Sequence, residues 1–254
     1  MQSATGNTPM AVRLLNDPPQ AGAVNMARDE ALMTLVGQGA SAPTLRLYEW
    51  SEPTVSIGYF QHVGDHDALG PPVGEMPVVR RLTGGGAILH DRELTYSLTL
   101  PTRHPAAVGR AARLYEIVHD ALIDVLKEMN VRADRGGASD GSGAAKGPFF
   151  CFARRHRFDV LIGAEKVAGS AQRRTRCGIL QHGSIIIEGR FDQQPVASLG
   201  PRGVDASTLR ERLPAALGRR MEATITTGSW NDDELQLAHS LQAKYAGDAW
   251  NRRR

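Results

Sequence analysis

The sequence predicts a single α+β domain built around a mixed sheet backed by helices. Three observations point there. The 254 residues suffice for one sizeable core. Strand-like segments come in runs, without the strict strand–helix alternation of a parallel α/β fold. Helical patterns stand before, among and after those runs. Neither an internal repeat nor a linker divides the chain.

The composition narrows the function classes. Hydrophobic residues make up 41% and charged residues 22%, as in ordinary soluble proteins. Thirty Lys and Arg against 27 Asp and Glu leave a net charge of +3, too weak for a nucleic-acid binder but suited to an acidic protein partner. The short runs Arg173–Arg174, Arg219–Arg220 and Arg252 to Arg254 read as solvated surface. Two cysteines, Cys151 and Cys177, make no disulfide framework and fit a reducing cytoplasm. The opening MQSATGNTPM carries no signal-peptide pattern, and no apolar run approaches the roughly 18 residues of a membrane span.

Residues 1–12 are expected to be a disordered leader, with the folded domain over 13–254. Residues 22–37 read as a helix presenting Val24, Ala27, Ala31 and Leu35 on one face. Strands are expected at 44–50 and 54–59, parted by Pro53, and at 78–81 and 94–100, parted by a glycine-rich loop. The strongest helix spans 111–129, where Leu114, Ile117, Val118, Ala121, Leu122, Val125, Leu126 and Met129 follow the i, i+3, i+4, i+7 rule. Residues 135–147 lack periodicity and large apolar side chains, and read as a flexible loop. Residues 158–162 and 166–170 form a hairpin closed by Gly163, Ala164 and Glu165. Residues 179–182 and 184–187 are either a strand pair or one strand bent at Gly183. The remainder reads as mainly helical. Leu209, Leu213 and Leu217 share a face that Pro214 interrupts, and Leu235, Ala238, Leu241 and Tyr245 mark the last helix.

Four segments hold candidate chemistry. In Arg80-Arg81-Leu82-Thr83-Gly84-Gly85-Gly86, three glycines let backbone approach a ligand, and two arginines offer charge for a phosphate or carboxylate. The loop lacks the Gly-Lys-Ser/Thr ending of a P-loop; its bland reading is a flexible turn. Lys166, followed by Val167-Ala168-Gly169-Ser170-Ala171-Gln172, can reach a carbonyl across the sheet, although a strand lysine is more commonly exposed. Cys151, flanked by aromatics, is either a small buried hydrophobe or a nucleophile whose thiolate a nearby cation stabilises. Cys177 has no comparable neighbour and reads as incidental. His182 and Ser184 flank Gly183 without a Gly-x-Ser-x-Gly elbow, so His182, like His90, reads as a hydrogen-bonding residue of the sheet. The eight histidines and two cysteines show no metal-ligand spacing, so no metal is expected.

The order and spacing of these segments carry more than any one of them. The chain resembles the biotin/lipoate protein ligase superfamily, in its lipoate-protein ligase A and octanoyltransferase branch. The matching residues include Asn25-Met26-Ala27-Arg28-Asp29-Glu30, Trp50 with Pro53 to Gly58 and Gln61, Arg80 to His90, and Glu93 to Ser97. They continue through Lys166-Val167-Ala168-Gly169-Ser170-Ala171-Gln172 and Leu180 to Ser184, to Lys244-Tyr245 and Trp250-Asn251. The resemblance implies the mixed sheet shared by biotin ligases and class II aminoacyl-tRNA synthetases. It also implies that the glycine loop and the Lys-x-x-Gly-Ser-Ala segment line an acyl pocket. Arg80, Arg81, Thr83, Gly84, Gly85, Gly86, His90, Gly169, Ser170 and His182 are then expected to bind substrate.

Within that branch two chemistries compete. Octanoyltransferases move an octanoyl group from acyl carrier protein onto a cysteine and on to a lysine of a lipoyl-carrier domain, such as glycine cleavage H protein or a 2-oxoacid dehydrogenase E2, with no cofactor. Lipoate ligases use ATP and Mg²⁺, form an acyl-adenylate and need no cysteine nucleophile; Lys166 and Arg80 or Arg81 would there contact carboxylate and phosphates. Cys151-Phe152 stands ahead of Lys166 as the cysteine of one octanoyltransferase subgroup does, which implies Cys151 as nucleophile and Lys166 as its catalytic partner. That subgroup commonly has arginine at the third glycine, whereas Gly86, Ala87 and His90-Asp91 look more like the ligases.

Overall fold

The computed structural model describes residues 10–137, 149–153 and 156–253. In chain order the elements are β1 (Met10–Asn16), α1 (Gly22–Gln38), β2 (Thr44–Tyr48), β3 (Thr54–Ile57), α2 (Gly64–Asp67), β4 (Val78–Arg80), β5 (Ile88–His90), β6 (Arg92–Pro101) and α3 (Ala112–Glu128). There follow β7 (Asp134–Arg135), a 3₁₀ turn at Cys151–Ala153, β8 (Val160–Ile162), β9 (Glu165–Arg174), β10 (Gly178–Glu188), α4 (Ala206–Met221), β11 (Ala223–Thr227), α5 (Asp232–Ala246) and α6 (Asp248–Asn251).

Eight strands form one sheet in the order β11-β1-β2-β6-β10-β9-β8-β7. β1 runs parallel to both β11 and β2, while the pairs from β2 onward are antiparallel, so the sheet is mixed as expected. A second sheet, β4-β3-β5, stands beside it and frames the glycine loop.

Strand periodicity divides the large sheet into two chemically distinct faces. Along β6, Leu94, Tyr96, Leu98 and Leu100 enter the main core with the α3 and α4 stripes. The alternate residues Glu93, Thr95, Ser97 and Thr99 are also buried, but on the opposite face, which α1 covers. This buried polar face holds the candidate site.

Several expectations are refined. β1 begins at Met10, inside the stretch read as a leader; Val12, Leu14 and Leu15 are buried there, while residues 1–9 lie outside the described set. Arg135 belongs to β7 and pairs with Val160, so of the 135–147 loop only 135–137 are described. α1 is buried on more than one stripe: Asn25, Asp29 and Leu32 are covered, while Val24 and Leu35 are only half-buried, because the helix lies between the sheet and α5. Pro214 does not break α4, which runs unbroken to Met221 because Leu209, Leu213, Ala216 and Leu217 anchor both sides of the proline in the core. The C-terminal region holds a strand, β11, between its helices, and Leu235 of α5 is largely exposed.

Residues 178–188 make one strand, and Gly183 at its middle is required by close packing. A Cβ there would overlap Ser170 Oγ and lie 2.5 Å from Gly169 O. Among the described residues no helix is long and apolar enough to cross a membrane.

Candidate active site

Cys151 and Lys166 are brought together. The Lys166 ammonium lies 3.7 Å from Cys151 Sγ and 3.5 Å from its carbonyl oxygen. Lys166 is only 4% exposed, so the common fate of a strand lysine does not apply. A buried ammonium requires a counter-charge. Asp159, just ahead of β8 and itself buried, supplies it at 3.0 Å. The other Asp159 oxygen accepts the His156 backbone N–H at 2.7 Å, fixing the carboxylate. The Phe152 ring packs 4.7 Å from the ammonium. Asp159 is a site residue that reading the sequence alone missed. Its signal is a lone acid opening the first strand of the hairpin whose second strand carries Lys166.

The glycine loop reaches Cys151 through backbone. Cys151 N–H donates to Ala87 O at 2.7 Å, and Ala87 N–H donates to Phe149 O at 2.9 Å. A Cβ at Gly86 would stand 3.0 Å from both Cys151 N and Phe149 O, so a side chain there presses on the cysteine segment, which packs directly against the third glycine. Gly85 has φ +92° and is exposed, and the loop is held from outside by Gly58, whose Cβ would overlap Gly85 O.

The two arginines are positioned otherwise than expected. Arg80 and Arg81 are both buried, and their donors meet protein oxygens. Arg80 donates to the carbonyls of Gly58, Gln61, Trp250 and Asn251, tying the C-terminal helix to the loop at 58–61. Arg81 donates to Ser56 O, Gly84 O and Gly86 O and to Thr83 Oγ1, so it shapes the glycine loop from beneath. Burial pulls the Arg81 guanidinium down to about 10, against the Cys151 sulfur nearby, which favours its charged form. With these bonds made, neither side chain is presented to a phosphate as the sequence suggested. A three-residue strand continuing inward leaves both arginines inside.

Two relays run from Arg81. In one, Thr83 Oγ1 accepts from Arg81 and donates to His182 Nε2 at 2.7 Å, and His182 Nδ1–H donates to Asp29 at 3.0 Å. In the other, Ser56 Oγ donates to His90 Nε2 at 2.7 Å, and His90 Nδ1–H donates to Glu93 at 2.7 Å. These tautomers follow from the donor–acceptor order of each chain. Arg46, Ser97 and Tyr48 also donate to Asp29, whose carboxyl stays below the usual range against the opposing cost of burial. Burial lowers the His90 pKa, outweighing the attraction of Glu93, and the ring stacks on Trp50 at 3.8 Å. His90 thus hydrogen-bonds among the strands, to Ser56, Glu93 and Ser184, as expected, whereas His182 bonds out of the sheet, to the glycine loop and α1. The Ser56 and Thr83 hydroxyls resemble triad nucleophiles in order only, since each is fully buried and engaged.

Between these relays lies a narrow cleft, closely packed by its walls. Met26, Trp50, Ile88, Ala171 and Gly183 supply apolar walls, with Arg81, His90 and His182 around them. Ile88 also packs in one cluster with Phe152 and Cys151, so a wall of the cleft adjoins the cysteine segment.

Ser170 also departs from the expected pocket. It faces the main core, 2.6 Å from both Tyr96 OH and His119 Nε2, because strand alternation turns it opposite to Gly169 and Ala171. His119 Nδ1–H donates to Phe158 O, so His119 bridges the two strands that carry Asp159 and Lys166. Cys177 is exposed on a turn away from these groups.

The lipoyl protein ligase A/B catalytic domain matches residues 21–216. Octanoyltransferase LipM of Kyrpidia tusciae is 34% identical, with 95% of this chain and 98% of the relative covered. Octanoyltransferase LipM of Symbiobacterium thermophilum is 35% identical with the same coverage. In fold, the chain is similar to a T. acidophilum protein solved with bound lipoic acid, at TM-score 0.79 and 23% identity, covering 96% of this chain and 100% of that one. It is also similar to lipoate-protein ligase A bound with ATP, at TM-score 0.75 and 21% identity, covering 96% and 99%. The chain belongs to the lipoyl protein ligase A/B catalytic domain family.

Proposed function

We propose that the protein is an octanoyltransferase, moving an octanoyl group from acyl carrier protein through a thioester on Cys151 to a lysine of a lipoyl-carrier domain. The observation that carries this reading is the pairing of Cys151 Sγ with the Lys166 ammonium at 3.7 Å, beside an apolar cleft. A ligase working through an adenylate has no use for that sulfur. Relatives named octanoyltransferase, about one-third identical along almost the whole chain, support the same choice.

The Cys151 thiolate attacks the thioester carbonyl of the donor, and its new C–S bond replaces the bond to the carrier thiol, which leaves and takes up a proton. The Lys166 ammonium, held by Asp159, steadies first the thiolate and then the oxyanion of the tetrahedral intermediate. The octanoyl chain occupies the cleft between Trp50, Ile88 and Ala171. The neutral amine of the acceptor lysine next attacks the acyl-enzyme; an amide forms as the C–S bond breaks, and the leaving Cys151 sulfur takes up the proton the amine loses. One thioester replaces another in the first half, and the more stable amide draws the second half forward, so the reaction calls for neither ATP nor Mg²⁺.

The test is octanoyl transfer to a lipoyl domain from octanoyl-acyl carrier protein without nucleotide. Wild type should modify the domain and Cys151→Ala should not; transfer by a clean Cys151→Ala preparation would refute the reading.

A further inference from the structure

Beside the cleft stands a surface that the transfer chemistry does not use. The segment following β3 wraps the outside of the glycine loop. Tyr59 N–H donates to Thr83 O at 2.9 Å, and Gln61 Nε2 donates to Phe149 O at 3.1 Å, two residues before Cys151. At its tip Phe60 is 61% exposed, the most exposed of the large hydrophobic side chains among the described residues, with its ring edge-on to Tyr59 at 4.9 Å. Two arginines from distant parts of the chain converge on Tyr59: Arg173 of β9, 5.1 Å from the ring centroid, and Arg253, 3.9 Å from it. Neither is ion-paired among the described residues. Nor is exposed Arg157, two residues before Asp159 on the hairpin side. Exposed arginines without a carboxylate partner occur elsewhere among the described residues too, as at Arg103, Arg113 and Arg212. What marks this place is the convergence on the Tyr59 ring of two guanidiniums that lack a carboxylate, beside an exposed phenylalanine and next to the glycine loop, which suits an acidic protein partner.

We propose that Phe60, Arg173 and Arg253 form the docking face for the acyl donor, an acidic carrier protein that presents its thioester to Cys151. The proposal rests on the octanoyltransferase reading and names the surface that reading lacks. The face lies against the glycine loop, so a carrier seated on it delivers its arm to the cleft without crossing the sheet. Arg173 and Arg253 act on encounter and orientation, and Phe60 gives the contact an apolar centre. Chemistry at the sulfur is unaffected by any of the three.

The experiment measures the rate of Cys151 acylation by intact mass with two donors: octanoyl-acyl carrier protein, and the neutral octanoyl thioester of N-acetylcysteamine. Phe60→Ser and Arg173→Glu should each slow acylation by the carrier protein about tenfold or more, with the wild-type rate falling steeply as salt rises. Both should leave acylation by the neutral thioester within about twofold of wild type. Equal loss with both donors would make these residues part of the pocket and overturn the proposal. Unchanged acylation with slowed transfer to the lipoyl domain would assign the face to the acceptor and also overturn it. Failure of wild type to form an adduct with either donor would instead sink the transferase reading.

Discussion

Lys166 folds back over Gly169. A methyl group on Gly169 would overlap the lysine Cε and stand 2.5 Å from its Nζ, so the ammonium reaches Cys151 across a space that only glycine leaves open. The three-residue spacing of lysine and glycine is thereby explained by packing.

Gly169→Ala should therefore displace the ammonium while sparing most of the sheet. The expected cost is about 1–3 kcal/mol of stability from overpacking. Acylation of Cys151 should fall by about 10²–10³, the usual loss of one oxyanion donor. Stopped-flow acylation with denaturant melts on the same sample would check both; an alanine variant acylating at the wild-type rate would contradict the placement of Lys166.

Asp159→Asn should be as damaging as a substitution at the lysine. It leaves Lys166 buried without a counter-charge, and breaking a buried pair typically costs about 3–5 kcal/mol. The lysine, no longer held by its partner, leaves the sulfur without its cation. Comparing Asp159→Asn with Asp159→Glu tests this: activity near wild type in the asparagine variant would show that the pair has no part in the reaction.

Acid should weaken the fold through His119. Burial lowers its pKa to about 4, whereas an unfolded histidine titrates near 6.5. Between those values the unfolded chain binds the extra proton, so the contribution of neutral His119 is complete above about pH 6.5 and is lost as pH falls through about 4. From pH 7.5 to 5.0 the loss is about 2 kcal/mol, and buried His90 adds to it in the same direction. Denaturant unfolding at the two pH values should show this slope in wild type and a shallower one in His119→Gln; equal slopes would contradict a neutral, buried His119.

Much of this was legible in the sequence where one physical rule acts alone. The α3 stripe, the hairpin turn at Gly163 and the triple-glycine loop follow from helical period, turn chemistry and the need for bare backbone. Cys151 and Lys166 stood out only through the resemblance to one octanoyltransferase subgroup; their own windows read as a packed cysteine and an exposed strand lysine. What stayed hidden depended on partners far along the chain. β1 and β11 are short and pair in parallel across more than 200 residues, so neither shows a hairpin signal. Arg80 and Arg81 read as ligand-binding charges because nothing local says that carbonyls from Ser56 to Asn251 would take up their donors. Ser170 read as a pocket residue because the motif includes it, yet alternation from Gly169 places it on the other face. Asp159 gave only a lone acid beside a strand, and its meaning appears once the hairpin closes it onto Lys166.

If Cys151 carries the acyl group, the intact mass of the protein after incubation with octanoyl-acyl carrier protein, without ATP, should show one octanoyl adduct that hydroxylamine removes and that Cys151→Ala does not form. No adduct, together with ATP-dependent modification of a lipoyl domain by free octanoate or lipoate, would contradict it and make Cys151 a packed cysteine in a ligase.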